Sequence, residues 1–400
     1  MREMKDSGIE WVGAIPAAWG VHRIASHFQE IKEKNMANAY SNALQFKMGK
    51  IIAKPQKWDE DETNETYSAY TVVHPNTIMI NGLNLEFDFV TQRVARVECN
   101  GIITSAYIAL SPRDDINAEY ICYLLKSYDA CRAFHSMGRG LRKILSYSEL
   151  KNKPIVVPPL AEQERIAAFL DAECAEIDAV LEKTRASIEE YKKVKQAVIT
   201  QAVTKGVRGD RPMKDSGIEW IGEIPAEWDY TKAKNCVDIQ NGSDPKTEGS
   251  VPVYGSGASS FKTCGEYKEG PSVLIGRKGA TLHIPHYIST KFWNVDTAFN
   301  VYAKPNFDLK FYFYCACSFD YRFYISQTTL PSMTQTAYEN MFLPLPSNDE
   351  QRAIASYLDN RCEEIDALIW KKQECLAEIE NYKKSLIYEY VTGKKEVHPL

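Results

Sequence analysis

The sequence predicts a mixed α/β fold built twice: two α/β domains separated by a pair of long antiparallel helices in a coiled coil, with a pseudo-two-fold internal repeat. Three observations carry that expectation. Residues 4–19, MKDSGIEWVGAIPAAW, return at 213–228 as MKDSGIEWIGEIPAEW, with thirteen of sixteen positions identical at an offset of 209. Residues 162–206 return at 350–394, offset 188, with 17 identities in 45 positions. Finally, neither Glu162–Lys205 nor Glu350–Thr392 contains a glycine or proline, and good helix formers dominate both.

The elements follow in order. In the opening motif, Trp11 and Trp19, with their repeats Trp220 and Trp228, read as packing anchors, because the frame is shared while selectivity should differ between halves. Two stretches without extended identity, Gly20–Ala161 and Asp229–Asp349, separate each motif from its tail. The first has strand-like runs at SNALQFKM, NTIMI, FVTQRVARV and ITSAYIAL, then a helical pattern at NAEYICYLLKSYDACRAF. The second has VPVYGSG, SVLIG and TAFNVYA, then the aromatic LKFYFYCACSFDYRFYI. Turn residues divide the runs.

Prolines precede each tail: Pro158 and Pro159 in one, Pro344 and Pro346 in the other. Ser347 and Glu350 have the spacing of a capping box. Apolar positions then alternate at four and three. They include Ile177, Leu181, Ile188, Tyr191 and Val198 in the first tail, and Ile365, Ile369, Leu376, Ile379 and Leu386 in the second. These ten form the expected helical spine, to which partner binding is assigned. Polar interruptions coincide, Thr184 with Lys372 and Lys195 with Lys383. Such residues either fix register or snorkel at a loose seam. A break near Asp171 and Asp359 would divide each tail into two helices. Chain order makes the helices antiparallel if they pack, and about 40 residues would span roughly 60 Å. The expected segments are a first domain at 4–160, a helical region at 161–206, a second domain at 207–346 and a second helical region at 347–394.

Composition narrows the function. Over 400 residues, 44% are hydrophobic, 25% are charged and the net charge is −5, which is ordinary for a globular chain and not globally basic. Nucleic-acid binding needs only a local basic surface. No apolar run approaches the ~18–20 residues of a membrane span. The start is charged and lacks the apolar core of a signal peptide. Ten scattered cysteines form no CxxC pair, which fits free thiols in a reducing, cytoplasmic setting. There is no GxxxxGK[ST] loop, GxSxG elbow, HExxH helix or Asn/Asp-Pro-Pro-Tyr stretch. Pro285 between His283 and His286 argues against a helical metal pair, and DEDETNE at 59–65 reads as a solvated loop. The expectation is no catalytic residue, no metal and no cofactor on this chain.

Candidate contacts lie in loops. Between Arg139 and Lys153 five basic residues stand against one acidic one, Glu149. Arg139 and Arg142 could read guanine edges or clamp phosphates. Arg277 and Lys278 sit between Gly276 and Gly279, which suits a backbone nest or a phosphate contact. The hydroxyl and amide side chains of TTLPSMTQ suit base edges.

Taken together, the pieces resemble the specificity subunit of type I restriction–modification enzymes. The resemblance rests on SGIEWIGEIPAEW, LQFKMGKIIAKP, GRGLRKILS, PIVVPPLAEQERIAAFLD, VYGSG, IGRKGA, TTLPSMT, LPLPSNDEQRAIASYLD and IDALIWKKQ…VTGK, in the family's order over essentially the whole chain. It implies that each variable stretch is a target recognition domain reading one half of a bipartite double-stranded DNA site. It also implies that the helices set the spacing and dock two methyltransferase subunits, which supply S-adenosylmethionine. Two restriction subunits, using ATP and Mg2+, would join for cleavage, and the specificity subunit itself would be non-catalytic. The loop positions matching family motifs are Lys47, Arg139, Arg142, Lys143, Arg277, Lys278, Thr329 and Ser332. The competing expectations are a pseudo-symmetric protein-binding adaptor that never touches DNA, and an enzyme with an unrecognised site in one insert.

Overall fold

The lack of glycine and proline in the tails has its expected result. Leu160–Lys205 and Asn348–Val391 are α-helices of 46 and 44 residues, without a break at Asp171 or Asp359. Those aspartates instead accept tyrosine hydroxyls, from Tyr123 at 2.7 Å and Tyr314 at 2.9 Å. Their side chains therefore do not compete for the helix backbone. The capping box forms in half. Ser347 Oγ accepts the Glu350 backbone N–H at 3.4 Å, while the Glu350 carboxylate is engaged elsewhere.

The structure is a computed structural model describing all residues except 1, 37, 56–65, 87–91, 139–142, 258, 322–323, 326–330 and 398–400. The chain divides into two units: residues 1–183 with 375–400, and residues 184–374. Each unit thus takes the start of one tail helix and the end of the other. In unit 1, Lys383 Nζ meets Asp178 at 2.6 Å, and the Phe169 and Tyr390 rings lie 4.4 Å apart. In unit 2, Lys195 Nζ meets Asp366 at 2.6 Å, and Lys372 Nζ lies 5.6 Å from the Tyr191 ring. In both, numbers rise on one helix as they fall on the other, so the paired segments are antiparallel.

The paired lysines are two of the coincident polar interruptions, and they bridge between helices rather than snorkel. Their aspartates are more than half exposed, so each pair contributes at most about 1 kcal/mol. What the pairs supply is register. The seam residues point inward. Leu181, Ile188, Ile365 and Leu386 are buried, and Ile177, Tyr191, Val198, Ile369, Leu376 and Ile379 are half-buried. All ten are thus at least partly covered by this chain itself.

Each unit contains a four-stranded antiparallel sheet. In unit 1 the order is Phe28–Glu30, Ile108–Pro112, Ile78–Ile80, Val94–Arg96. In unit 2 it is Val237–Asn241, Ala298–Ala303, Ser272–Gly276, His286–Ile288. Counted along the chain, both sheets read 1-4-2-3, although the two stretches share no extended identity. The strand Ile78–Ile80 is buried on both faces, with Ile78 and Ile80 in one cluster and Met79 in another. That explains its continuous apolar sequence. A helix follows each sheet. Ala118–Ala130 is N-capped by Asn117, whose side chain accepts from Glu119 and Tyr120 N–H. Leu309–Ser318 is N-capped by Asp308, which accepts from Phe311 N–H. The second helix stops earlier than its aromatic pattern suggests, at extended Phe319.

The duplicated Glu–Gln pair at the head of each tail ties frame to insert. In unit 1, Glu162 accepts the Trp19 indole N–H at 2.9 Å and the Arg2 guanidinium at 2.5 Å. In unit 2, Glu350 accepts the Trp228 indole at 2.9 Å and Arg211 at 2.7 Å. Each arginine also stands over its tryptophan ring, at 5.4 and 5.0 Å. The neighbouring glutamines hold the insert helices. Gln163 Oε1 accepts Asn117 N–H at 2.9 Å, and Gln351 Oε1 accepts Asp308 N–H at 2.8 Å. Trp19 and Trp228 are each 1% exposed, in line with packing anchors.

Candidate nucleic-acid interface

In unit 2 the strand Ser272–Gly276 ends where the chain folds back on itself. A Cβ at Gly276 would lie 2.2 Å from Leu282 Cα, so only glycine fits. The turn continues through Arg277 and Lys278 to Gly279, at φ +121°. The amides of Arg277 and Lys278 both donate to Thr297 O, at 2.8 and 3.2 Å, and that of Gly279 donates to Pro331 O at 3.0 Å. The expected backbone nest is therefore absent, because all three donors already meet carbonyls. What the turn offers is side chains. Lys278 is exposed. The Arg277 guanidinium carbon stands 5.8 Å from the centre of the Phe299 ring, with a 3.5 Å hydrogen bond to Asp296 O.

Ser332 lies opposite Lys278 in a β-bridge, and Met333 N–H donates to Arg277 O at 2.9 Å. Arg277, Lys278 and Ser332 are thus brought together around one cleft of about 250 Å³. Thr329 lies outside the described residues. Thr281 Oγ1 donates to Ser256 O at 2.9 Å, so the YGSG segment adjoins the same turn.

Asn241 and Gln335 also line the cleft. Gln335 belonged to the amide- and hydroxyl-rich segment, but Asn241 carried no motif and was missed. Asn241 Nδ2 donates to Gln335 Oε1 at 3.3 Å. Gln335 Nε2 in turn donates to Ile239 O at 3.1 Å and Glu339 Oε1 at 2.8 Å. Behind them, Lys268 Nζ donates to Asn300 Oδ1 at 2.6 Å, Asn294 Oδ1 at 2.8 Å and Asn241 O at 3.2 Å. Burial lowers the pKa of this ammonium below the ordinary lysine value.

Unit 1 presents a different edge. Lys47 ends the strand Leu44–Lys47 and pairs with Lys50 across a Met48–Gly49 turn. Both turn residues have positive φ, 47° and 72°, as a tight two-residue hairpin requires. Lys47 and Lys50 are exposed. Lys143 is exposed on a separate segment, and its carbonyl accepts Leu85 N–H at 3.3 Å. Arg139 and Arg142 lie outside the described residues. Beside the hairpin, a cleft lined by Lys50, Arg96, Glu119, Tyr123, Lys126 and Asp171 mixes both charges. Arg96 meets Glu119 at 2.8 Å. Burial first, then a hydrogen bond with Asp171, raises the Glu119 pKa.

Among the described residues no group of three His, Cys, Asp or Glu side chains could hold a metal ion, and residues 59–65 lie outside them. Nor is any described helix long and apolar enough to cross a membrane.

The type I restriction modification DNA specificity domain family, Methylase_S, matches residues 99–190 and 225–378. The type I restriction enzyme MjaVIII specificity subunit of Methanocaldococcus jannaschii is 26% identical over 425 residues, covering 96% of this chain and 95% of that one. The putative MjaX specificity subunit of the same organism is 24% identical over 309 residues, covering 71% and 70%. A solved chain, from work on complex assembly and conformational transition of the type I R-M system, superposes with a TM-score of 0.72 at 16% identity. It covers 95% of this chain and 99% of that one, and so shares the fold.

Proposed function

The chain belongs to the type I restriction modification DNA specificity family, and we propose from that premise that each unit reads one half of a bipartite double-stranded DNA site. One observation carries the reading: two sheets of the same strand order, on twin frames, present unlike polar edges. In unit 2 the reading edge is the cleft of Arg277, Lys278 and Ser332. In unit 1 it includes Lys47 and Lys143, with Arg139 and Arg142 on the same basic stretch. The basic side chains position the duplex through phosphates, and the polar ones select bases.

Two methyltransferase subunits are the proposed partners, one for each unit. The seam residues are turned inward, so docking falls to outward apolar positions. Unit 1 exposes Val180 and Tyr382 at 48% and 56%, and unit 2 exposes Val194 and Leu368 at 49% and 43%. These four form two repeat-related pairs, Val180 with Leu368 and Val194 with Tyr382, each at the offset of 188. In sequence each lies within two residues of a member of its unit's cross-helix ion pair. Two restriction subunits would complete the enzyme. S-adenosylmethionine, ATP and Mg2+ belong to these partners, and the present chain contributes no catalytic group.

The test is a methylome. Cells carrying this chain with its methyltransferase subunit should show adenine methylation at one split motif, lost when the chain is deleted. Binding of the purified complex to that motif should weaken steeply with salt, by about one power of salt concentration per phosphate contact. Methylation unchanged by the deletion would reject the recognition role.

A further inference from the structure

We infer that Asn241 is a base-reading residue of unit 2 and that the base it reads is adenine; this rests on the recognition role proposed above and adds a residue and a base to it. Asn241 ends the strand Val237–Asn241 and is exposed on the wall of the cleft that holds Arg277 and Lys278. An exposed asparagine amide ordinarily turns over freely, which costs entropy on binding. This one is held by Gln335, and its backbone by Lys268. Gln335 Oε1 accepts one Nδ2 hydrogen, and the Gln335 amide is itself locked by donating to Ile239 O and Glu339. The Asn241 backbone carbonyl, not its Oδ1, accepts from Lys268, which Asn294 and Asn300 hold in place, so the strand end that carries the side chain is fixed.

The hydrogen bond to Gln335 also fixes which end of the carboxamide is nitrogen. With the hydrogen trans to Oδ1 given to Gln335, the other N–H and the Oδ1 acceptor are left side by side. In the major groove adenine offers an N7 acceptor beside an N6 donor, which this edge complements. Guanine offers two acceptors there and would set its O6 or N7 against Oδ1. The flanking cations hold the duplex at this edge without specifying adenine themselves.

The experiment uses the assembled complex with its methyltransferase subunits. Its affinity is measured on duplexes carrying the wild-type split motif, with one base pair changed in each. The wild-type chain should discriminate against loss of one A·T pair, in one half-site, by roughly tenfold to a hundredfold. Asn241→Ala should erase that discrimination and keep every other. Asn241→Asp, which removes the donor and leaves only acceptors, should move the preference at that position toward cytosine. Because the side chain is exposed, neither change should disturb folding. Equal weakening on all duplexes would mean a phosphate contact and overturn the inference. So would an unaltered preference at every position. A wild-type complex that selects no split motif would instead remove the recognition role, and the inference with it.

Discussion

In unit 1, Asp171 on the tail helix sits beside Glu119 and the Arg96 that pairs with it; in unit 2 its repeat, Asp359, pairs with Lys310. The two sites share a tyrosine donor, Tyr123 or Tyr314, yet Asp171 faces an acid already paired with a base while Asp359 faces a base alone. A few residues away the arrangement is the same in both units. Glu162 and Glu350 each bind one indole and one guanidinium, and both indole contacts measure 2.9 Å. The difference teaches where the chain was free to diverge. A carboxylate that is largely out of water, as Glu162 and Glu350 are, with two donors aimed at it, makes any substitution costly that leaves donor or acceptor unmet. A half-exposed aspartate facing an insert accepts either sign of neighbour, because water screens what the neighbour does not satisfy. These frame contacts therefore repeat to within tenths of an ångström, while the proposed reading edges differ.

The largest expected effect lies in the frames. Trp228→Ala should destabilise unit 2 by about 3–5 kcal/mol, since it empties a fully buried site and strips Glu350 of a donor. Trp19→Ala should cost unit 1 a similar amount. Denaturant titration of both variants checks the match, and values differing by more than about 2 kcal/mol would break the claim of equivalent frames.

An intermediate effect belongs to the cleft. Arg277→Ala should leave stability nearly unchanged and cost about 1–3 kcal/mol in DNA binding, with any change of base preference confined to one half-site. Competition binding on duplexes altered in each half separately checks this. Equal loss of selectivity in both halves would contradict a division of labour between units.

The smallest effect is electrostatic. The Glu119 pKa is raised in the folded chain above the usual value of 4.5. A raised carboxyl favours folding most at low pH, and that contribution is lost as pH climbs from the unfolded value through the folded one. Glu119→Gln should flatten this fall in unit 1 by less than about 1 kcal/mol, because the side chain is partly exposed. Thermal unfolding between pH 4 and pH 8 measures it. A variant whose stability falls with pH as steeply as the wild type's would remove the contrast with Asp359.

Much of this was legible in the sequence, for local reasons. Helices without glycine or proline, their antiparallel seam and the packing role of the tryptophans all follow from composition and repetition. The coincidence of Lys195 with Lys383 located both register pairs, though not their partners Asp178 and Asp366. The expected break at Asp171 and Asp359 failed because the tyrosines that satisfy those side chains come from elements some 45 residues away. The backbone nest at Arg277 failed for a similar reason, since Thr297 and Pro331 reach it only in the folded chain. The shared 1-4-2-3 sheet order was hidden because burial on both faces asks only for apolar residues, not for particular ones. The hold on the Asn241 amide was invisible because Gln335 lies 94 positions along the chain.

The central claim, that equivalent frames carry two independent readers, is tested most directly by replacing residues 229–349 with residues 20–161 and mapping methylated adenines genome-wide. Two copies of the first insert should produce a new split motif whose halves are identical and match one half of the original. A correctly folded, partner-bound chimera that still methylates the original asymmetric motif would contradict the account.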